Sequence, residues 1–182
     1  MFRNVSALVV STVLLASPVM ADSIGKTDLQ VLNEVSKAVN RYEYFTIFDD
    51  VSATVKDGVV TLTGKVTMPY KRSAIEKRVG KIDGVRQLND QITVLPVSQW
   101  DDELRYRIAQ SIYRDPNFWN YAMGVNPSIH VIVEHGRVTL TGVVNGEVDR
   151  MLATSIATRF NAFSVTNSLK TPAEIREALE KS

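Results

Sequence analysis

The 182-residue chain contains no cysteine. That excludes a disulfide framework and a lipid-modified N-terminal cysteine. Whatever folds must be held by its own apolar core. Histidine occurs only twice, as His130 and His135. His130 falls on the outward side of a strand whose inward residues are Ile129 and Val131, and His135 falls in a hairpin turn. Neither has a second histidine at helical spacing, so both read as solvated surface residues and no metal site is expected. The chain also lacks G-x-S-x-G, a phosphate-binding glycine loop and H-E-x-x-H. The paired acids Asp49-Asp50 and Asp101-Asp102 are explained by turn and helix-cap chemistry. No enzymatic activity, catalytic residue or cofactor is expected.

An excess of one charge is missing too: 21 basic residues face 20 acidic ones. Residues 1–21 hold one arginine and no acid, so the remainder carries 20 of each. A general nucleic-acid binder would be strongly basic, and none is expected. Long hydrophobic runs are confined to residues 5–19, behind the basic start Met1-Phe2-Arg3-Asn4. Pro18 breaks that run, and Val19-Met20-Ala21 supplies small or aliphatic residues for a signal peptidase. Residues 1–21 therefore read as a secretory signal peptide cut after Ala21. The run is short of the ~20 residues of a comfortable membrane span. The expected mature protein is exported, without a transmembrane span.

What is present is a repeat. Residues 55–64 read V-K-D-G-V-V-T-L-T-G, and 78 positions later residues 133–142 read V-E-H-G-R-V-T-L-T-G. Seven of the ten letters agree, which predicts one supersecondary unit used twice.

In the first copy, Thr27 and Gln30 form a capping box ahead of the helical stripe Val31, Val35, Val39. Val51, Ala53 and Val55 alternate as a strand, Asp57-Gly58 makes a hairpin turn, and Val60, Leu62 and Val66 return. Gly64 marks a bulge or a close backbone approach. A helix is predicted over residues 70–82 with Ile75, Val79 and Ile82 inward, then a strand with Leu88, Ile92 and Val94. The second copy repeats the order: Ser98 caps a helix with Leu104, Ile108 and Ile112, followed by Ile129, Val131, Val133, the turn His135-Gly136, Val138, Leu140, Val144, then Ala153, Ala157, Phe160, then Val165 and Leu169. The order helix, strand, strand, helix, strand predicts an α+β class, each copy a small three-stranded mixed sheet covered by two helices. Thr171-Pro172-Ala173-Glu174 opens a short C-terminal helix or tail over residues 171–182. The short linker Leu95, Pro96, Val97, Ser98 predicts that the copies pack together.

Two hairpins of the form G-x-V-T-L-T-G set between helices resemble the BON domain family (bacterial OsmY and nodulation). The matching features are Gly58 and Gly136 at the turns, Gly64 and Gly142 at the strand ends, and the closing patterns Gly84-Val85-x-x-Leu88 and Val165-x-Asn167-x-Leu169. In the second copy Ala162-Phe163 replaces Gly-Val and one residue is missing before Val165, so a different turn is expected there. The resemblance places one domain at residues 27–96 and another at 98–170. It implies a periplasmic or outer-membrane-associated protein of envelope maintenance, osmotic or envelope stress, peripheral to a membrane and in contact with phospholipid surfaces. It carries over no catalytic residues.

Two features suit a lipid surface. Aromatic connections follow the first helix of each copy: Tyr42, Tyr44, Phe45, Phe48, and Tyr113, Phe118, Trp119, Tyr121. Together they hold eight of the fourteen aromatics. The second is about five residues longer and adds Met123. Amphipathic rings suit a membrane interface, or they cap the open end of each core. On the helix of residues 70–82, Lys71, Lys77, Arg78 and Lys81 share an arc that could meet lipid phosphates, or form an ordinary solvated face. The expected lipid-contact set is therefore Phe118, Trp119, Tyr121, Met123, Lys71, Lys77, Arg78 and Lys81. The expected function is a non-enzymatic periplasmic module contacting anionic phospholipid. The alternative is a protein-interaction or chaperone-like module docking to envelope proteins.

Overall fold

The computed structural model describes residues 26–123 and 127–180; the expected signal peptide lies outside them. The first unit contains α1 (Asp28–Asn40), β1 (Asp50–Lys56), β2 (Val59–Val66), α2 (Pro69–Val79) and β3 (Gln87–Val94). The second contains α3 (Gln99–Arg114), a 3-10 turn (Pro116–Tyr121), β4 (Ile129–Glu134), β5 (Arg137–Val143), α4 (Glu147–Ala157) and β6 (Ser164–Lys170), and the described chain closes with α5 (Pro172–Glu180). Each sheet has three strands in sequence order, the first pair antiparallel and the second parallel. The class is α+β, with two tandem units. The second helix of the first unit stops at Val79, short of the expected Ile82, and Ile82 packs against the core from the turn that follows.

Local chemistry explains these elements. Thr27 accepts from the Gln30 amide while the Gln30 side chain accepts from the Thr27 amide, closing the expected capping box. The hairpin turns place Asp57 and Gly58 at φ 52° and 74°, and His135 and Gly136 at 51° and 72°. Two successive positive φ values are the signature of a type I′ turn, whose twist matches the strands it joins. Gly64 and Gly142 sit at φ 121° and 111°, where a Cβ would lie 2.1 Å from the Asp50 carbonyl oxygen and 1.9 Å from that of Ser128. Glycine is required at both strand ends. The substituted turn before β6 keeps the older contact: Phe163 N donates to Gly136 O at 2.8 Å, as Arg86 N does to Gly58 O at 2.8 Å.

Alternation along each strand sends one set of side chains under the helices. Val60, Leu62, Ile75 and Ile92 close the first core with the α1 valines, and Ile108, Ile112, Leu140 and Ile156 the second. The C-terminal segment is helical and is tied back by Glu174, which pairs with Arg150 of α4.

The two units pack together, through a segment that belongs to the first. Residues 46–49 lie along β4, where Val131 N donates to Ile47 O at 2.8 Å and His130 Nδ1 bonds to the carbonyl oxygen of Asp49. A carbonyl can only accept, so Nδ1 carries the proton. Ile47 and Phe48 pack against the second core, and Phe45 meets the His130 ring at 5.5 Å. The outer edge of β4 is thereby covered. His130, expected as a solvated residue, is half-buried at this junction; His135 is exposed in its turn.

Candidate functional site

The basic arc is smaller than its helical wheel suggests. Lys71 is buried, and its Nζ donates to Asp49 Oδ2 at 2.6 Å. Its expectation as a surface cation is corrected: Asp49, fully buried, draws it inward. Asp49 also accepts from the amide and hydroxyl of Thr46 and of Thr67. Burial alone would raise the Asp49 carboxyl, but the hydrogen bonds from Lys71, Thr67 and Thr46 outweigh it and hold the group below the usual carboxylate range. This knot fixes the segment that docks on β4. Lys77, Arg78 and Lys81 are exposed, with the Arg78 guanidinium 4.9 Å from the centre of the Tyr42 ring.

In the second unit the four candidate residues divide in two. Phe118 is fully buried and Tyr121 nearly so, their ring centres 5.6 Å apart. The Tyr121 hydroxyl donates to Asp149 and accepts from the Asn145 amide at 2.7 Å. Burial first, and Asp149 second, push its phenol above the ordinary value. Trp119 and Met123 point outward, 61% and 65% exposed. The 3-10 turn is therefore a pedestal: alternate rings anchor it and Trp119 is presented. The cations of α2 and the aromatic turn lie on different units. In the first unit Tyr42 and Phe45 are buried and Tyr44 is exposed.

Several exposed apolar residues escape a search for aromatic clusters. Trp100 and Tyr106 on α3, and Val148 and Met151 on α4, are all more than half exposed. Trp100 shares a groove with Arg107 and Arg159, and the Arg107 guanidinium lies 5.3 Å from the Phe160 ring centre. The signal was available: Val148 and Met151 lie three apart, on the side of α4 away from Ala153 and Ala157.

Asp101, expected as a helix-end acid, and Asp28, its counterpart in the first unit, do more than favour a helix end. Each carboxylate accepts from both amides of the hairpin turn in its unit: Asp28 from Asp57 and Gly58 at 2.7 and 2.9 Å, Asp101 from His135 and Gly136 at 2.8 and 2.7 Å. Each acid sits three residues before the first stripe residue, Val31 or Leu104, which marks the equivalence. Among the described residues, no group of three or more histidines and acids is placed to hold a metal ion, and no helix is long and apolar enough to cross a membrane.

No curated protein matches the chain. Among solved structures it is similar to the C-terminal domain of CdsD, a structural protein of the type III secretion system of Chlamydia trachomatis, at 16% identity and a TM-score of 0.33, covering 87% of this chain and 71% of that one. A second CdsD structure from the same organism matches at 12% identity and a TM-score of 0.29, covering 85% and 98%. Likeness at that level carries no functional argument. The model of the BON domain matches twice, over residues 27–96 and 101–173. The chain belongs to the BON domain family, a family of envelope-associated modules.

Proposed function

We propose that the protein is a non-enzymatic periplasmic module that supports the envelope under stress by contacting anionic phospholipid, and that the second unit makes the contact. The observation that carries this reading is the distribution of exposed apolar surface. Among the described residues, thirteen large apolar side chains are exposed, and eight of them belong to the second unit, from Trp100 to Phe163. Exposed apolar groups gathered on one part of a surface mark interaction sites, and tryptophan suits the boundary between acyl chains and water. Arg107 and Arg159 stand beside Trp100, where each cation near an anionic surface contributes about 1 kcal/mol. Lys77, Arg78 and Lys81 of the first unit add a second set of cations.

Co-sedimentation with anionic and with zwitterionic phospholipid vesicles, at low and moderate salt, tests the proposal. Retention by anionic vesicles alone, weakened by salt and by Trp100→Ser and Trp119→Ser, is the expected result. Absence of retention by either kind refutes it. A second reading, docking to envelope proteins, is favoured by one observation. Strands β3 and β6 each pair on one side only, and Ile47 already shows backbone docking at a sheet edge within this chain. Cross-linking to a protein partner in detergent, without lipid, would support it.

A further inference from the structure

The face of the second sheet turned away from its helices carries a different chemistry. Register aligns its outward residues in rows: Glu134, Arg137, Ser164; then Ile132, Thr139, Thr166; then His130, Thr141, Ser168. The first unit walls one side of this face with Asp50, Gly64 and Lys65, and Lys65 pairs with Glu134 across the junction. A cleft of about 330 Å³ results, which is within the range of small-ligand sites. It exists only because the two units are packed together.

The groups facing this cleft are largely uncommitted. Among the described residues, the hydroxyls of Thr139, Ser164 and Thr166, the Asp50 carboxylate and the Arg137 guanidinium have no hydrogen-bond or ion-pair partner. Thr141 is nine-tenths buried, and its Oγ1 is enclosed without a partner. Buried hydroxyls are normally paired, and a turn about χ1 that brings this one to the cleft would give it a ligand hydroxyl as partner.

The lining selects the class of ligand. Two acids, Asp50 and Glu134, balance two cations, Lys65 and Arg137, so the cleft carries no net charge to draw an ion. Ile132 is the one aliphatic side chain in the lining, too little for an acyl chain. A peptide strand would seek backbone groups, but on a sheet face those are spent in the ladder. Threonine offers a hydroxyl that both donates and accepts, next to a methyl group. A sugar ring has the same close alternation of C–H and O–H. Charged side chains add strong hydrogen bonds to ligand hydroxyls.

We propose that this cleft binds an uncharged segment of a short oligosaccharide, with Thr141 at its floor and Arg137 and Asp50 bonded to ring hydroxyls. The cleft and the apolar helices lie on opposite sides of the second sheet, so the proposal stands apart from the lipid reading. The test is amide chemical-shift mapping of the isotope-labelled protein with chitotriose, with maltotriose and, as the peptide probe, with trialanine. Saturable shifts at Thr139, Thr141 and Thr166 with at least one sugar are expected. Thr141→Val, which keeps the shape and removes the hydroxyl, should weaken binding about tenfold or more while leaving the melting temperature unchanged or higher. Arg137→Gln, at an exposed position, should weaken binding as well and supplies the test if the valine variant does not fold. No shift in the cleft with either sugar, a response to trialanine alone, or binding indifferent to both substitutions would overturn the proposal.

Discussion

Replacing Lys71 with methionine removes one charge from a closed knot and leaves the stem in place. In the intact protein the Lys71 and Asp49 side chains are 6% and 0% exposed. The substitution leaves the Asp49 carboxylate with four neutral donors, the amides and hydroxyls of Thr46 and Thr67, at 2.7–2.9 Å. These occupy lone pairs without neutralising the charge. Removing one partner of a buried pair costs about 3–5 kcal/mol, and the surviving hydrogen bonds place the expected loss near the lower end, about 3 kcal/mol. A unit of this size has about 4–10 kcal/mol of stability in total. The first unit should therefore melt at least about 12 °C lower, and urea unfolding should show the same loss.

Two further measurements separate this account from a simple packing defect. Asp49 has a lowered carboxyl in the native protein, so its contribution is present above the unfolded carboxylate range and is lost as pH falls through the folded value. Without Lys71, burial is less opposed and the carboxyl rises, so the variant gains relative stability on acidification. The gap between native and variant should narrow toward pH 4. The Val131 amide, which donates to Ile47 O at 2.8 Å, should exchange its hydrogen faster in the variant, because the knot holds the docking segment. A stability loss below about 1 kcal/mol at neutral pH, with the gap constant on acidification, would refute the buried-pair account.

Four other substitutions probe the rest of the fold. Gly142→Ala should cost more than about 3 kcal/mol or prevent folding, since its Cβ meets backbone at 1.9 Å at a φ of 111°, whereas Gly146→Ala, with nothing within 4 Å, should change thermal stability by less than about 1 kcal/mol. Asp101→Ala should cost about 2–4 kcal/mol in urea unfolding, because the His135 and Gly136 amides lose charge-assisted partners; the more exposed Asp28 should matter less. Tyr113→Phe should cost about 1–2 kcal/mol, since the phenol accepts from the Ile129 amide at 3.1 Å and donates back to its carbonyl.

The repeat itself explains which parts of the site could be read from the sequence. In the first helices the copies are offset by 73 residues, Val31 matching Leu104 and Val39 matching Ile112; from the strands onward the offset is 78. The offset of 73 still holds for Phe45 and Phe118, and both are buried. The five extra residues must therefore enter between Phe118 and Ile129, the stretch that holds the exposed Trp119 and Met123. A ring that keeps its place in the repeat belongs to the core, and side chains in the added stretch are free to face outward, as Trp119 and Met123 do; Tyr121 lies in the same stretch and is buried, its hydroxyl held by Asp149 and the Asn145 amide. Composition alone could not make that distinction, which is why four candidates became two. Lys71 shows the same divergence between the copies. Its counterpart at the offset of 78 is Asp149, which takes the Tyr121 hydroxyl as its partner where Lys71 takes Asp49. The Thr67 amide bonds to Asp49, and the equivalent Asn145 amide bonds to the Tyr121 hydroxyl. Opposite charges at this position of the repeat serve two inward contacts, one buried at Lys71 and one partly buried at Asp149, rather than two surfaces. That the units pack together follows from the short linker, but the place where they meet left no such trace. Its backbone half, Ile47 O and Asp49 O meeting one edge strand, is the same in every sequence, and its side-chain half, the His130 ring with Ile47 and Phe48, lies in no repeated pattern.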